Sequence, residues 1–591
     1  MKKTLLFLEL PRLDNDAAGP QEHLRLAGVY LRSLLERSAE SRYFKALCLP
    51  DAVYRLDDEH LLKAIARRQP DLVACTLYLW NIERSLHVLR RLRALDPRLA
   101  IIVGGPEVAR YHPFLFRSHL PDIAVCGEGE AVWESLLSAW RKGRTTNVAT
   151  VAWKTKRGYC WGRCAPPVLP LRNCLPSPAE AHYQPDANGM AYLETARGCP
   201  MRCTYCRYHH QRGGVSFLTA DEILARVRAF QRQGAREIRF IDPSFNYNPA
   251  FEAILNRLAD RSTGDGRSTC DDRSTGDGRS TCDDRSICHG LKFFAEINAD
   301  RLAPHQARLL AAAHFKEIEV GVQSRNPRVL RLIRRPTPLA ALDRGIRALL
   351  ARKIRVTLDL MAGLPGQTGH DIRSSVAWAA RLKGARVQCL QTLLLPGTDI
   401  RRERKRWKLV ADDRPPYAVT ATSTIPSPRM RSILACIQQQ IGVIADCPTR
   451  RFVGRDLPDL FPEQIHLHLS LERWPQYAPG RQARRAIVFH GSDLFACRER
   501  IGDFIRGAVC REPHILWQFI LAPEREEPLD LLDSLIAGLR KCPPHLSDRW
   551  ILLDAAGRMA ARRIMLWLQS RQRYDQGWVK AANALLRSAF Y

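Results

Sequence analysis

Short apolar runs alternate with amphipathic stretches over the first 145 residues of the chain. Each apolar run is continuous, as in a strand buried on both faces, and each amphipathic stretch repeats its apolar residues at helical spacing. The pattern predicts strands at residues 4–10, 43–49, 71–79, 99–104 and 122–126, and helices at residues 23–37, 59–68, 82–95 and 131–140. Because strands that alternate with helices form parallel sheets covered on both faces, residues 1–145 are predicted to be a doubly wound α/β domain.

The same alternation returns at residues 188–400, after a connector at residues 146–187 that is rich in Pro and Arg. Strands are predicted at residues 190–195, 237–241, 291–296, 317–320, 355–361 and 387–395, and helices at residues 220–233, 249–258, 304–313, 327–334, 339–352 and 371–382. Thr219 and Glu222 are N-terminal signals for the first of these helices. The pattern amounts to about six β/α units.

A polar tract interrupts this second alternation at residues 260–289. Residues 261–272 read RSTGDGRSTCDD and are repeated letter for letter at residues 273–284. Such a tract cannot bury a core, so it predicts a flexible surface insertion. It lacks the bidentate Glu and the ligand spacing of a calcium loop, and Cys270 and Cys282 are copies within the repeat, so we assign it no chemistry.

The formal charge of +30 allows two interpretations. One is nucleic-acid binding through counterion release, and the other is an arginine-rich surface with basic residues spread along the chain. The basic clusters at residues 401–406 and 481–485 are short, and no aromatic-interleaved recognition motif accompanies them. We therefore predict that the protein does not bind nucleic acid, while an anionic substrate stays open.

The N-terminus and the cysteine content bear on location. Residues 1–10 imitate a signal peptide, but Glu9 and Pro11 interrupt the apolar run, so a first buried strand is the better interpretation. Eighteen cysteines in 591 residues do not form the dense pattern of a secreted disulfide scaffold. No run of about 18 apolar residues occurs, so no membrane span is predicted. These features indicate a cytoplasmic protein.

Three cysteines, Cys199, Cys203 and Cys206, follow the first strand of the second domain with the spacing C-x3-C-x2-C. They offer three thiolates and no fourth, so a four-iron cluster held there would keep one iron open for a substrate or cofactor. The alternative is zinc, which usually needs a second pair of Cys or His, here His209 and His210. A disulfide is disfavoured because three clustered cysteines cannot pair evenly.

This loop resembles the cluster loop of radical S-adenosylmethionine (SAM) enzymes, with a strand leading into it and Tyr205 before its third cysteine. The resemblance implies a [4Fe–4S] cluster on the three cysteines, SAM chelated by the open iron, and a partial (β/α)6 barrel of TIM type. Function in such barrels gathers at the carboxyl ends of the strands. The strand ends and one glycine turn resemble SAM contacts, which implies SAM-binding roles for Tyr205, Asp242, Glu296, Gln323, Ser324, Gly363, Leu364, Pro365 and Gly366.

Two glycine turns of the first domain, residues 104–107 and 127–130, resemble the Rossmann-like cobalamin-binding domain that precedes many radical SAM enzymes, as do residues 76–81. The domain lacks the D-x-H-x-x-G motif, whose His ligates cobalt, so cobalamin without a protein His on the metal is expected. A flavodoxin-like domain that binds nothing is the alternative. The resemblance implies cobalamin contacts at Thr76, Tyr78, Gly104, Gly105, Glu107, Gly127 and Glu128.

Residues 401–591 contain predicted helices at residues 430–443, 530–539 and 560–570, and extended segments at residues 487–489 and 514–521. We expect a mostly helical region that caps the barrel mouth and sets substrate choice. His466, His468 and Cys497 are interpreted as surface or core residues and not as ligands.

The resemblance implies a methyltransferase that acts on an unactivated carbon of an unknown small-molecule or peptide substrate. It also implies an external one-electron reductant of the flavodoxin or ferredoxin type. The alternatives are a cobalamin-linked radical oxidation, cyclisation or rearrangement, an RNA-modifying radical enzyme, and an iron–sulfur protein without catalysis. Residues that act in catalysis beyond the cluster ligands are not identified.

Overall fold

The computed structural model describes residues 2–13, 25–112, 114–165, 169–181, 183–208, 214–259, 290–440, 453–454, 461–470, 480–549, 562–568 and 574–589. These residues form three α/β units, each built on a largely or wholly parallel sheet. The repeats predicted as a flexible insertion at residues 260–289 lie outside the described residues.

The first unit is a seven-stranded sheet with helices on both faces, as predicted. Five strands are parallel, and a hairpin from the predicted connector extends the sheet antiparallel. In spatial order the strands are Phe44–Cys48, Lys3–Leu8, Leu72–Thr76, Ala100–Gly104, Ile123–Val125, Val151–Thr155 and Gly158–Trp161. The helices are Leu26–Arg37, Asp51–Tyr54, Asp58–Ala66, Ile82–Leu95 and Trp133–Arg141, with short 3₁₀ turns at Ala39–Arg42 and Phe116–Ser118.

The second unit is a six-stranded parallel sheet whose strands pair in chain order. Its first and last strands lie at opposite edges, so the barrel is partial, as predicted. The strands are Met190–Leu193, Glu237–Phe240, Lys292–Ile297, Phe315–Gln323, Arg355–Ala362 and Ala385–Gln391. The helices are Ala220–Arg232, Phe251–Ala259, Pro304–Ala312, Pro327–Leu332, Leu339–Leu350 and Gly369–Ala380, preceded by the short helix Leu171–Cys174, with 3₁₀ turns at Phe245–Tyr247 and Ala299–Arg301.

Side-chain alternation gives each barrel strand two different faces. On the fourth strand, Ile318, Val320 and Val322 are buried in the core against the helices, while Glu319 and Gln323 point to the other face, the barrel interior. Four of the six predicted barrel helices begin at the predicted residue, and the other two, Phe251–Ala259 and Gly369–Ala380, begin two residues away from it. Thr219 and Glu222 form a reciprocal capping box at the first helix after the cluster loop.

The third unit corrects the prediction of a mostly helical C-terminal region. It is a five-stranded parallel sheet with strands, in spatial order, Val453–Gly454, Arg562–Trp567, Leu516–Pro523, Arg484–Gly491 and Glu463–His468. Its helices are Arg498–Arg511, Asp530–Arg540, Leu546–Arg549 and Gln576–Ala589. The segment predicted as a helix at residues 560–570 contains the second of these strands. Its apolar run is short, and periodicity alone does not separate a short buried strand from a buried helix.

The third unit lies on the first unit. The Asp57 N–H donates to the Arg481 carbonyl at 2.7 Å, and the buried Arg485 pairs with Asp57 and, at 3.0 Å, with Glu463. The hydrogen bonds and ion pairs described between this unit and the rest of the chain lead to the first unit. The expected cap over the barrel mouth stays a prediction. His466 and His468 lie on the edge strand Glu463–His468 of the third unit.

A post-barrel segment, residues 392–421, packs against the barrel and the first unit. It contains the helix Asp399–Arg402 and the paired strands Val410–Ala411 and Val419–Ala421, and the helix Ser427–Gln440 follows it. Its buried Leu394 and Val419 form an apolar cluster with Leu79 of the first unit and Tyr205 of the cysteine loop. This segment therefore links the barrel end to the first unit.

Candidate functional site

The cluster loop lies at the carboxyl end of the first barrel strand, between the short paired strands Ala196–Arg197 and Ser216–Phe217. Cys203 is buried, and Cys199 and Cys206 are half-buried. The Cys206 N–H donates to the Cys203 carbonyl at 3.1 Å. The structure thus places the three predicted ligands in one loop at this strand end, with Cys203 and Cys206 on the same turn.

The donor set fits an iron–sulfur cluster. Burial raises the pKa of the Cys206 thiol to about 12, and the neighbouring Cys203 and Cys199 add to the effect. Thiols of this kind become thiolate ligands when a metal centre stabilises them. Among the described residues, no three His, Cys, Asp or Glu side chains are close enough to hold a single metal ion. A four-iron cluster spans more space than one ion, which agrees with three cysteines spread over one loop. His209 and His210, the residues named for zinc, lie outside the described residues.

Arg335 places a positive charge beside the cluster loop. Its Nη1 lies 3.8 Å from Cys203 Sγ, and its Nη2 donates to Asn298 Oδ1 and to the Gly321 carbonyl, each at 2.8 Å. Asn298 follows the third barrel strand and Gly321 lies in the fourth, so the sheet fixes the guanidinium. Sequence analysis missed Arg335, because no motif distinguishes it from the arginines around it.

Asp242, predicted to contact SAM, lies beneath the cluster loop. Its Oδ1 accepts the N–H groups of Thr195 and Ala196 at 2.7 and 2.8 Å, and its Oδ2 accepts the Thr195 hydroxyl. Burial raises the pKa of Asp242 to about 7. Through these hydrogen bonds Asp242 fixes Thr195 and Ala196, the residues that lead into the cluster loop. Its contact with SAM stays a prediction.

Three further residues predicted to bind SAM lie at the carboxyl ends of neighbouring barrel strands. Glu296 is exposed to the open barrel interior, where partial loss of solvent around its carboxylate, followed by the charge of Glu319, raises its pKa to about 8. Gln323 has a φ of 64°, and the buried Ser324 accepts the Asn326 N–H at 3.1 Å. The structure therefore gathers Glu296, Gln323 and Ser324 at the edge where barrels place their sites.

The predicted glycine turn at residues 363–366 adopts a conformation that requires glycine. Gly363 and Gly366 have φ values of 91° and 66°, while Leu364 and Pro365 lie between them. The buried Gln367 supports the turn, since its Oε1 accepts the N–H groups of Gly363 and Leu364 at 2.9 and 3.1 Å. Sequence analysis did not identify this role of Gln367.

A cavity of 610 Å³ lies between the first unit and the cluster loop. Tyr205 and Cys206 of the cluster loop line it together with Tyr78 and Trp80, whose rings stack with centroids 4.5 Å apart. No histidine is among the described residues that line it. All seven residues predicted to contact cobalamin line this cavity: Thr76, Tyr78, Gly104, Gly105, Glu107, Gly127 and Glu128.

The cavity wall has features of a ligand site. The Nε of Arg207 is a buried donor without a hydrogen-bond partner among the described residues. At Gly104 a Cβ would meet no atom closer than 4.0 Å, so glycine leaves space there. Gly105 differs, because a Cβ would lie 2.7 Å from the Leu77 carbonyl oxygen. Glycine at 105 is therefore required by backbone packing, whereas Gly104 and Arg207 fit a ligand that carries hydrogen-bond acceptors.

Arg197 connects the cavity rim to the barrel. It pairs with Glu130 at 2.7 Å and with Glu128 at 3.4 Å from the first unit, and with Glu194 at 2.8 Å from the barrel. All four side chains are mostly buried. Glu128, predicted to contact cobalamin, thus also takes part in joining the two units.

Two family models match the chain. The model described as the B12 binding domain covers residues 29–137, and the model of the Radical SAM superfamily covers residues 193–379. The chain therefore has a B12-binding domain followed by a radical SAM domain. These domains define its cofactors as cobalamin, a [4Fe–4S] cluster and SAM, and the cavity and the cysteine loop fit them.

Curated proteins are similar to part of the chain. The 2-(S-pantetheinyl)-carbapenam-3-carboxylate methyltransferase of Streptantibioticus cattleyicolor is 28% identical over 210 residues, which cover 33% of this chain and 31% of that protein. The aligned segment thus spans about a third of that relative's length.

Two solved structures share the fold. The radical SAM methyltransferase TsrM of Kitasatospora setae, solved with tryptophan and a SAM analogue, has a TM-score of 0.52 at 17% identity and covers 69% of this chain and 77% of that chain. The cobalamin-dependent radical enzyme OxsB, solved with aqua-cobalamin and SAM, has a TM-score of 0.54 at 16% identity and covers 74% and 66%. Among the described residues, no helix has the length and apolar character needed to cross a membrane.

Proposed function

We propose that this protein is a radical SAM enzyme that uses cobalamin to transfer a methyl group to an unactivated carbon. The observation that carries the proposal is the single cavity lined both by the seven predicted cobalamin residues and by Tyr205 and Cys206 of the cluster loop. Methyl transfer needs both cofactors to face one substrate, and a shared cavity supports that arrangement. The methyltransferases among the similar proteins agree with it.

The protein's own residues would bind the cofactors, orient them and shield them from water. The cluster with SAM would supply a carbon-centred radical, and cobalamin would supply the methyl group. Cys199, Cys203 and Cys206 would hold the cluster irons, and Arg335, beside Cys203, would offset the charge of the thiolates. The turn at residues 363–366, held by Gln367, presents backbone to SAM. Electrons enter from an external one-electron reductant of the flavodoxin or ferredoxin type.

The proposal is tested on protein purified without oxygen from cells supplied with hydroxocobalamin. We expect about four irons and one corrinoid per chain, and formation of 5′-deoxyadenosine when reduced protein is given SAM. Protein that forms 5′-deoxyadenosine but retains no corrinoid would support a radical reaction without methyl transfer. Protein that holds the cluster but never cleaves SAM would support a non-catalytic iron–sulfur protein.

A cavity-filling variant tests the cobalamin site separately. We predict that Gly104→Phe blocks corrinoid uptake and leaves the cluster intact, because the Gly104 Cβ position is open and lies at the cavity wall. Gly104→Ala is the matched control, since a methyl group fits the same space. Equal corrinoid content in both variants, measured by absorbance after gel filtration, would place cobalamin elsewhere.

A further inference from the structure

The turn at residues 105–107 of the B12-binding domain meets a side chain from the cluster loop. Arg207 directly follows the last cluster cysteine. Its Nη1 donates to the Pro106 carbonyl and, at 2.8 Å, to the Pro396 carbonyl of the post-barrel segment. One guanidinium therefore joins the cluster loop, the B12-binding domain and the post-barrel segment.

Tyr417 approaches the same turn from the post-barrel segment. It is fully buried, and its hydroxyl donates to Glu107 Oε2 at 2.8 Å. Its φ of 62° lies in the left-handed region, which costs a residue other than glycine on the order of 1 kcal/mol or more. Such a backbone conformation persists only where surrounding contacts impose it, so the contacts of the Tyr417 side chain fix the position of this residue.

His112 completes the group around Glu107. Its Nδ1 accepts the N–H groups of Leu115 and Phe114 at 3.0 and 3.4 Å, which assigns the ring proton to Nε2. Burial lowers the pKa of His112, so the ring is neutral near pH 7. Nε2 lies 3.4 Å from Glu107 Oε2 and 3.2 Å from the Tyr417 hydroxyl. The carboxylate thus receives one donor from its own domain and one from the post-barrel segment.

The turn at residues 105–107 is part of the cavity wall. The Glu107 N–H donates to the Leu77 carbonyl at 3.1 Å, and the Leu77 N–H donates to the Gly104 carbonyl at 2.8 Å. The turn is therefore bonded to the loop after the third strand, and both line the cavity with Cys206. A shift of the turn would move this wall relative to the cluster loop.

We propose that Arg207 and Tyr417 are positioning residues that hold the turn at residues 105–107 against the cluster loop and so set how cobalamin faces the cluster. The proposal rests on the proposed function, because it requires both cofactors in one protein. Arg207 acts on the carbonyl of Pro106 and Tyr417 on the side chain of Glu107, so the turn is held at two successive residues. Loss of either contact leaves the cluster ligands in place and lets the turn shift.

The test uses full-length R207Q and Y417F, loaded with cluster and hydroxocobalamin and then reduced to Co(II). At saturating hydroxocobalamin, we expect both variants to contain as much iron and corrinoid as the wild-type protein. Affinity for hydroxocobalamin should fall about tenfold, as for one lost hydrogen bond to a charged or carbonyl group. The magnetic interaction between the reduced cluster and Co(II), read from electron-spin relaxation, should change in both variants, because the separation or orientation of the two centres changes.

Two controls break other contacts of the B12-binding domain, away from the turn. Y54F removes a buried hydroxyl that donates to the Phe7 carbonyl at 3.3 Å within the B12-binding domain. R414Q breaks the 2.9 Å ion pair between the post-barrel segment and Glu83. Both should keep wild-type affinity and magnetic interaction. If R207Q loses its cluster, R207K replaces it, because the lysine keeps the charge but lacks the planar guanidinium whose Nη1 contacts both carbonyls.

The outcomes separate the two proposals. Wild-type affinity and magnetic interaction in both R207Q and Y417F would overturn the positioning role and leave the proposed function standing. Equal changes in the two controls would also overturn it, because they would reflect general loosening between domains. Failure of the wild-type protein to bind corrinoid would overturn both proposals.

Discussion

At the residue scale, a cation beside a thiolate ligand changes the electrochemistry of a cluster. Arg335 Nη1 lies 3.8 Å from Cys203 Sγ. Reduction adds negative charge to the cluster, so a nearby positive charge stabilises the reduced form. We predict that R335Q lowers the reduction potential by roughly tens of millivolts, measured by redox titration with electron paramagnetic resonance.

Arg325 provides the control for this effect. Arg325 follows the fourth barrel strand, whose Gly321 carbonyl binds Arg335, but Arg325 itself pairs with Asp343 at 2.6 Å. R325Q should therefore keep the wild-type potential. An unchanged potential in R335Q would show that the guanidinium does not act on the cluster.

The three loop cysteines differ in burial and share one predicted role. We predict that Cys199→Ala, Cys203→Ala or Cys206→Ala abolishes both the cluster and SAM cleavage, because two thiolates hold the cluster too weakly. Iron and sulfide content and 5′-deoxyadenosine formation measure the two losses. Cys389→Ala is the control, since Cys389 is fully buried in the apolar barrel core. If Cys389→Ala loses the cluster and a loop variant keeps it, the ligand assignment is wrong.

Residues of the site could be predicted from the sequence where the signal is local. The three cysteines are such a case, because their spacing lies within one loop. Arg335 and Tyr417 reach the site only through tertiary packing, and nothing in their neighbourhood along the chain marks them. Gly105, predicted to contact cobalamin, lines the cavity, but the close Leu77 backbone is what requires a glycine there, and its contact with cobalamin stays a prediction.

At the element scale, the turn at residues 363–366 depends on one buried side chain. Gln367 Oε1 accepts two backbone N–H groups of the turn, and its Nε2 donates to the Met361 carbonyl at 2.9 Å. Q367A would leave buried donors unsatisfied, which costs about 1–3 kcal/mol each. We predict that Q367A binds SAM several-fold more weakly while its iron content is unchanged, measured by equilibrium dialysis of labelled SAM.

The matched control is Thr368→Ala, at the adjacent residue. Thr368 caps the helix Gly369–Ala380 by accepting the Asp371 N–H, and loss of such a cap costs about 1 kcal/mol. It lowers stability without removing a bond to the turn. If both variants weaken SAM binding equally, the effect comes from general destabilisation.

Elements with long, consistent patterns could be predicted, and those that depend on pairing could not. The strands of both N-terminal units have continuous or alternating apolar runs, and their predicted arrangement in parallel sheets was confirmed. The strand Arg562–Trp567 was taken for part of a helix, because its strand character comes from pairing with Leu516–Pro523. The hairpin of Val151–Thr155 and Gly158–Trp161 was assigned to the connector for the same reason.

At the scale of the whole molecule, one carboxylate joins three parts of the chain. Glu83, in the B12-binding domain, pairs with Arg414 of the post-barrel segment and with Arg549 of the third unit. Arg414 is half-exposed and contributes little, whereas Arg549 and Glu83 are mostly buried. Sequence analysis could not predict this arrangement, since the three residues are distant in the chain and each is an ordinary surface-type residue.

Removing the charge of Glu83 should loosen the third unit from the B12-binding domain. E83Q leaves the buried Arg549 without its counter-ion, and breaking a buried pair costs about 3 kcal/mol or more. We predict a lower urea midpoint and faster hydrogen exchange in the helix Leu546–Arg549, while iron content stays at the wild-type level because the cluster loop lies in the barrel. E59Q is the control, since Glu59 pairs with Arg91 and Lys63 within one domain and is half-exposed. Equal exchange in E83Q and E59Q would show that apolar packing alone holds the third unit.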